Sequence, residues 1–258
     1  MIWKGPTMRE TDFIGGFAKG LRVIEAFGET KPRLTITDIA RETGLDRATA
    51  RRCLLTLAEL GYAAYDGKFF ELTPRILRLG HAYLSATPLP RLVQPFLDQL
   101  SETVGQSASA SVLDGADIVY VARAAQKRVM SISLMAGSRL PAYCASMGRV
   151  LLAALPEADA RAIIAASDRK ANTPFTKTDP DALLEELSKV RKQGFALIDQ
   201  ELEIGLRSIA VPLENARGRT VAALNIGAPA AHAAAEEMVE RYLPAMRAVQ
   251  AALRPLLA

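Results

Sequence analysis

Few residue types in this 258-residue chain stand where chemistry could start. His81 and His232 are its only histidines, and neither has a cysteine or carboxylate at metal-ligand spacing, so the pattern offers no zinc site. Cys53 and Cys144 lie far apart, Cys53 on the apolar stripe of an expected helix. This argues against a disulfide framework and for a reducing compartment. Cys144 precedes an expected helix start, where a thiolate would be stabilised, but no base accompanies it. Glu201 and Glu203 share a face in an extended segment and could do acid–base work, although such pairs more often form a solvated edge or partner a cation such as Arg207. Gly15, Gly16 and Gly20 lack both the spacing and the preceding strand of a phosphate loop. No catalytic residue, metal ligand or cofactor is therefore assigned. The alternatives that keep chemistry or another role are a hydrolase built on Cys144 or on Glu201 and Glu203, and a protein-interaction module.

What the chain offers instead is a positioned basic helix. Within residues 33–72, Thr35 and Asp38 make a capping-box-like start for a helix over 36–43. Gly44 follows as a left-handed stop, and Asp46 caps a second helix reaching Leu60. In that helix Ala50, Cys53, Leu54 and Leu57 form the packing stripe, while Ala48, Arg51 and Arg52 lie roughly opposite. Arg47, Ala48, Thr49, Arg51 and Arg52 occupy the first two turns, the part of a recognition helix that enters a major groove. A plain solvated arginine face is the competing reading. The next segment, 62–65, Asp66-Gly67 and 68–72, reads as strand, type I′ turn and strand, a wing with Lys68 beside its tip.

Other elements must hold this helix. Residues 15–29 form a first helix whose Phe17, Leu21, Ile24 and Phe27 are expected to cover the pair. Thr73-Pro74 opens a linker helix to about Ala86, and 87–90 is a proline-rich hinge. Three parts result: a winged helix-turn-helix at 1–73, a linker and hinge at 74–90, and a second domain at 91–258. The net charge is +4, and residues 1–86 carry 13 Lys and Arg against 10 Asp and Glu, which puts most of the basic excess with the winged helix. No apolar run is long enough to cross a bilayer and no signal pattern opens the chain, so a cytoplasmic, nucleoid-associated protein is expected, starting at Met1 or Met8.

The second domain reads as a helix over 91–104, strands at 107–113, 117–122, 129–135, 208–213 and 220–226, helices at 147–155, 157–167 and 180–193, and a helical end from 230 to 257, with the Ala-rich run 228–235 also read most simply as helix. Segregated helices and antiparallel strands make the fold class α+β. Cys144, Ser146 and Met147 sit at a helix start where Ser146 could cap and unpaired N–H groups could face an anion; an ordinary capped and packed helix is the alternative.

Several local patterns resemble the IclR family of bacterial transcription regulators, and within it the regulators of protocatechuate and 4-hydroxybenzoate catabolism. They are Phe17-Ala18-Lys19-Gly20-Leu21, Ala50-Arg51-Arg52, Leu72-Thr73-Pro74-Arg75, Leu140 to Arg149, and Glu201 to Ala210 with its Gly205-Leu206-Arg207-Ser208 centre. The resemblance implies a GAF-like effector domain after the winged helix and a double-stranded DNA operator. It also implies a homodimer, pairing in some members into tetramers, and a small carboxylic-acid effector of the hydroxybenzoate or β-ketoadipate type. Carried over by position, the effector residues are Cys144, Ser146, Met147, Asp199, Ser208 and Asn225. Gly227 departs from the serine many members place near the end of the last strand. An Asp199 in the cavity would accept from a ligand hydroxyl and repel a second carboxylate, which favours hydroxybenzoates over dicarboxylates.

Overall fold

A computed structural model describes residues 9–28, 30–126, 134–232 and 234–257. The choice between Met1 and Met8, and most of the strand expected at 129–135, lie outside these residues. The chain divides into two compact units, one ending at Ala86 and the other beginning at Thr87.

In the first unit, α1 (Gly15–Glu25) stops four residues short of its expected end. It buries Val23 and leaves Phe17 and Leu21 exposed, which corrects the expectation that those two side chains cover the helix pair. Helix α2 (Ile36–Thr43) begins at a true capping box: the Thr35 hydroxyl accepts from the Asp38 backbone N–H, and the Asp38 carboxylate accepts from the Thr35 N–H. Gly44 ends it with φ 68°, a conformation that costs any other residue type. Helix α3 (Arg47–Glu59) begins where the Asp46 carboxylate accepts from the Thr49 N–H at 2.8 Å. Ala50, Leu54 and Leu57 of α3 pack with Val23, Ile39 and Phe70 into one core. Truncating Leu54 in such a core typically costs about 2–5 kcal/mol.

The wing differs from the expected type I′ hairpin. Strands β2 (Ala63–Tyr65) and β3 (Phe70–Leu72) are joined by the longer loop 66–69. The Asp66 carboxylate accepts from the N–H groups of Lys68 and Phe69, and Gly67 alone in the turn has positive φ. An Asx-type turn closed by its own side chain thus takes the place of two left-handed residues. Arg33 pairs with Asp66 from a short strand β1 (Arg33–Leu34), which extends the wing to a three-stranded sheet of order β1-β3-β2. After a 3₁₀ turn at Pro74–Ile76, α4 (Leu77–Ala86) closes the unit.

The second unit opens with α5 (Pro88–Val104), so 88–90 belong to a helix rather than a hinge: proline is tolerated in a first turn, where its missing N–H has no partner to lose. Its sheet comprises β4 (Ser107–Asp114), β5 (Asp117–Ala124), β6 (Arg139–Pro141), β7 (Ala196–Asp199), β8 (Leu206–Glu214) and β9 (Thr220–Pro229). They run antiparallel in the order β6-β5-β4-β9-β8-β7. Helix α5 and α9 (Ala235–Leu253) cover one face, where Val93, Leu97, Ile209, Leu224 and Met246 pack together. The other face carries α6 (Ser146–Ala153), α7 (Glu157–Ala166) and α8 (Pro180–Gln193), with Met147, Leu151, Ile164 and Leu187 in a second core. The run 228–235 is strand end and turn before it becomes helix. Ala228 pairs with Arg207 in the ladder, and sheet pairing overrides alanine's helix preference there.

Candidate functional site

The helix-turn-helix presents Arg47, Ala48, Arg51 and Arg52 to solvent on one side of α3, with Lys68 exposed in the wing loop. Thr49 does not join them. It is buried at 7% exposure, and its hydroxyl accepts from Arg52 Nη2 at 3.3 Å, because the 200° that separates it from Arg47 on a helical wheel turns it inward. Thr49 therefore orients Arg52 instead of reaching a groove. Asp46 is held below the ordinary aspartate range by the Thr49 hydroxyl and the backbone N–H groups of the first turn, so the cap stays ionised where the helix begins. Lys68 Nζ lies 5.0 Å from the Phe69 ring centroid, which supports its extended side chain at the wing tip. Beside α3, an apolar groove of about 650 Å³ runs along α1 and is lined by Phe17, Leu21, Cys53, Leu57, Leu60 and Leu79.

In the second unit the sheet register builds a polar floor. Ser109 pairs with Asn225 on one side and Arg123 on the other, and Ser107 pairs with Gly227, which pairs with Ser208. Because alternate residues of a strand share a face, these side chains look out on the side of α6. The N-terminus of α6 sits over them, with Ser146 and Met147 buried and Cys144 and Ala145 just before. Together with Ile118, Tyr120, Leu134, Leu140, Leu202 and Leu206 they enclose a cavity of about 30 Å³, room for a water or two. Asn225 is 8% exposed and its Oδ1 has no hydrogen-bond partner among the described residues. A buried amide oxygen left unpaired costs free energy that a ligand donor would recover.

Of the residues carried over by position, Cys144, Ser146, Met147, Ser208 and Asn225 line this cavity and Asp199 does not. Asp199 lies opposite Arg207 in the β7–β8 ladder and takes two hydrogen bonds from it, at 2.7 and 3.2 Å. Ser208 is the next residue along β8, so Arg207 and Asp199 face the other side of the sheet. Ser146 also fails to cap: the cap position is Ala145, and Ser146 is the first helical residue, its side chain turned to the cavity. Cys144 is fully buried, and burial pushes its thiol up to about 11, the reverse of an activated nucleophile. Nor does Arg207 serve Glu201. The Glu201 carboxylate is buried against Arg149 at 2.6 Å and also accepts from the Lys177 N–H. Among the described residues no group of histidines, cysteines and carboxylates could hold a metal ion, and no helix is long and apolar enough to cross a membrane.

Sequence reasoning passed over Arg123. It projects from β5 into the cavity wall, half-buried, and donates from Nη1 to Ser109 Oγ at 2.9 Å. The available signal was an arginine in the otherwise apolar run 118–124, where a buried sheet has no use for a charge.

Two family models match the chain: the IclR helix-turn-helix domain over residues 17–67 and the bacterial transcriptional regulator IclR C-terminal domain over 81–254. The chain belongs to the IclR family of transcriptional regulators. Among curated IclR relatives, the chain is 47% identical to the Pca regulon regulatory protein of Pseudomonas putida, covering 93% of this chain and 82% of that protein. It is 39% identical to the p-hydroxybenzoate hydroxylase transcriptional activator of Acinetobacter baylyi, covering 96% and 94%. A crystal structure of an IclR homologue from Microbacterium hydrocarbonoxydans in complex with 4-hydroxybenzoate superposes with a TM-score of 0.73 at 26% identity, covering 93% of this chain and 99% of that one. This IclR protein is a regulator and not an enzyme, and the buried, unactivated Cys144 agrees.

Proposed function

We propose that this IclR regulator senses a small carboxylic acid of aromatic catabolism in the cavity before α6 and changes its affinity for a double-stranded operator in response. The observation that carries the reading is the buried, unpaired Asn225 Oδ1 facing the same space as the start of α6. The helix terminus supplies N–H donors and partial positive charge for a carboxylate, and Asn225 can accept from a ligand O–H. Relatives named for the Pca regulon and p-hydroxybenzoate hydroxylase, and a homologue holding 4-hydroxybenzoate, support this class of acid. A cavity of about 30 Å³ must open to admit such a ligand, and that opening is a source of different affinities for two conformations.

Operator contact falls to Arg47, Arg51 and Arg52 with Ala48 permitting close approach, and to Lys68 on the backbone beside the wing. One winged helix covers a half-site, so a symmetric homodimer is expected, with tetramers as a further assembly. Phe17, Leu21, Leu77, Leu79 and Tyr83 of α1 and α4 are all exposed apolar residues that a second copy would cover. A protein bound to DNA in this way works in the cytoplasm.

Calorimetric titration of the full chain with 4-hydroxybenzoate, protocatechuate and β-ketoadipate tests the sensing half. Saturable binding by at least one acid, lost in Asn225→Ala, is the expected result; no binding by any of the panel would remove it.

A further inference from the structure

We propose that Arg123 is a specificity-determining residue of the effector cavity, its guanidinium serving as the counter-ion for a second anionic group, so that the site prefers a dicarboxylate to a hydroxybenzoate. This deepens the proposed sensing role and rests on it.

Arg123 brings an unmatched charge to the cavity wall. Arg123 lines the cavity, is half-buried, and among the described residues has one hydrogen bond, to the neutral Ser109 hydroxyl. No carboxylate of the described residues pairs with it, and the one titratable group that acts on it is the Tyr120 phenol. Tyr120 itself is buried and its phenol is pushed up to about 12 by that burial, so it stays neutral and cannot serve as counter-ion. A guanidinium partly removed from water with no anion beside it is an unfavourable arrangement that a bound carboxylate would relieve, and its planar donor fork suits bidentate pairing.

Two features on different elements thus favour negative charge around one cavity: the start of α6 at Ser146 and Met147, and Arg123 on β5. A ligand with one carboxylate satisfies one of them. A ligand with two satisfies both. Among the described residues no carboxylate lines the cavity: Asp199, the group expected to repel a second charge, lies on the other face of the sheet and is paired with Arg207, and Glu201 is paired with Arg149. Ser109 and Asn225 continue the row from Arg123 across the floor, which gives polar contacts to whatever joins the two carboxylates.

Calorimetry on the full chain with β-ketoadipate and 4-hydroxybenzoate, in the wild type and in Arg123→Gln and Arg123→Lys, tests this. The wild type should bind β-ketoadipate at least about tenfold more tightly; Arg123→Gln should weaken β-ketoadipate by about tenfold or more while moving 4-hydroxybenzoate by less than about threefold, and Arg123→Lys should recover part of the difference. Melting curves of each variant establish that it is folded, and the lysine variant keeps the test alive if the glutamine variant is not. A wild-type preference for 4-hydroxybenzoate, an equal loss of both ligands, or no loss of either would overturn the assignment to Arg123. Absence of binding by the wild type to both acids would instead overturn the sensing role on which it rests.

Discussion

Arg149 and Glu201 stand 52 residues apart in the chain and meet in a buried ion pair, Nη2 to Oε2 at 2.6 Å. Arg149 also donates from Nε to the Tyr143 carbonyl at 3.0 Å, so one side chain ties the turn before α6, the first turns of α6 and the 200–205 loop together. That loop carries Leu202 into the cavity and contains Gln200, the one described non-glycine residue with positive φ, at 59°. Backbone held in that region persists where surrounding contacts over-determine it, and Arg149 supplies such contacts. Among the described residues, removing Arg149 leaves the buried Glu201 carboxylate with the Lys177 N–H and no cation, and removing Glu201 leaves Arg149 only its longer carboxylate contact, to Glu186 at 3.8 Å. Glu201→Gln and Arg149→Met should each lower stability by about 3–5 kcal/mol, read by urea unfolding, whereas an exposed pair such as Arg161 and Asp181 should contribute less than about 1 kcal/mol.

Gly148→Ala should be as damaging for a different reason. A Cβ at Gly148 would lie 2.2 Å from the Ala142 carbonyl oxygen, which is backbone and cannot swing away. We expect a loss near about 3 kcal/mol, the upper end of overpacking costs, in the same unfolding assay. Gly227→Ser makes the contrast, since its nearest neighbour would be a leucine methyl at 3.9 Å. That variant should fold within about 0.5 kcal/mol of wild type and alter effector affinity through its added hydroxyl.

Acid should loosen the DNA-binding unit through its caps. Asp38, Asp46 and Asp66 are held below their ordinary value of 3.8, chiefly by the Thr35 hydroxyl, the Thr49 hydroxyl and the Phe69 N–H respectively. Each has a lower pKa folded than unfolded, so its contribution is complete above the unfolded value and disappears as pH falls through the folded one. Circular dichroism melts between pH 6 and pH 2 should show a falling midpoint below about pH 4. Asp46→Asn retains an acceptor that does not titrate and should fall less steeply.

Alkylation should separate the two thiols. Cys144 is fully buried and its thiol is pushed up to about 11, while Cys53 is partly exposed beside the apolar groove. Iodoacetamide at neutral pH followed by peptide mass spectrometry should therefore modify Cys53 well before Cys144. Equal rates would mean that the loop before α6 opens readily.

The features legible in the sequence were those written in local spacing. The Thr35 and Asp38 capping box, the Gly44 stop, the Asp46 cap and the packing stripe Ala50, Leu54 and Leu57 all depend on residues within one or two turns, and all are present in the structure. Strand partners were not legible. Which face Asp199 takes is decided by its pairing with Arg207 on β8, and which cation Glu201 meets by a helix 52 residues away. Strands β6 and β7 were passed over because three or four residues carry too little alternation to register. Thr49 was misread because arginines on either side made the whole turn look solvent-facing.

Fluorescence anisotropy tests directly whether an acid bound before α6 alters DNA binding. The full chain would be titrated against labelled DNA from upstream of its own gene, with bulk competitor at physiological salt, with and without β-ketoadipate or 4-hydroxybenzoate. Specific binding is expected, with an affinity that changes at least about fivefold with one of these acids in the wild type and stays constant in Asn225→Ala. Binding no tighter than to bulk DNA, or an affinity that neither acid moves, would contradict it.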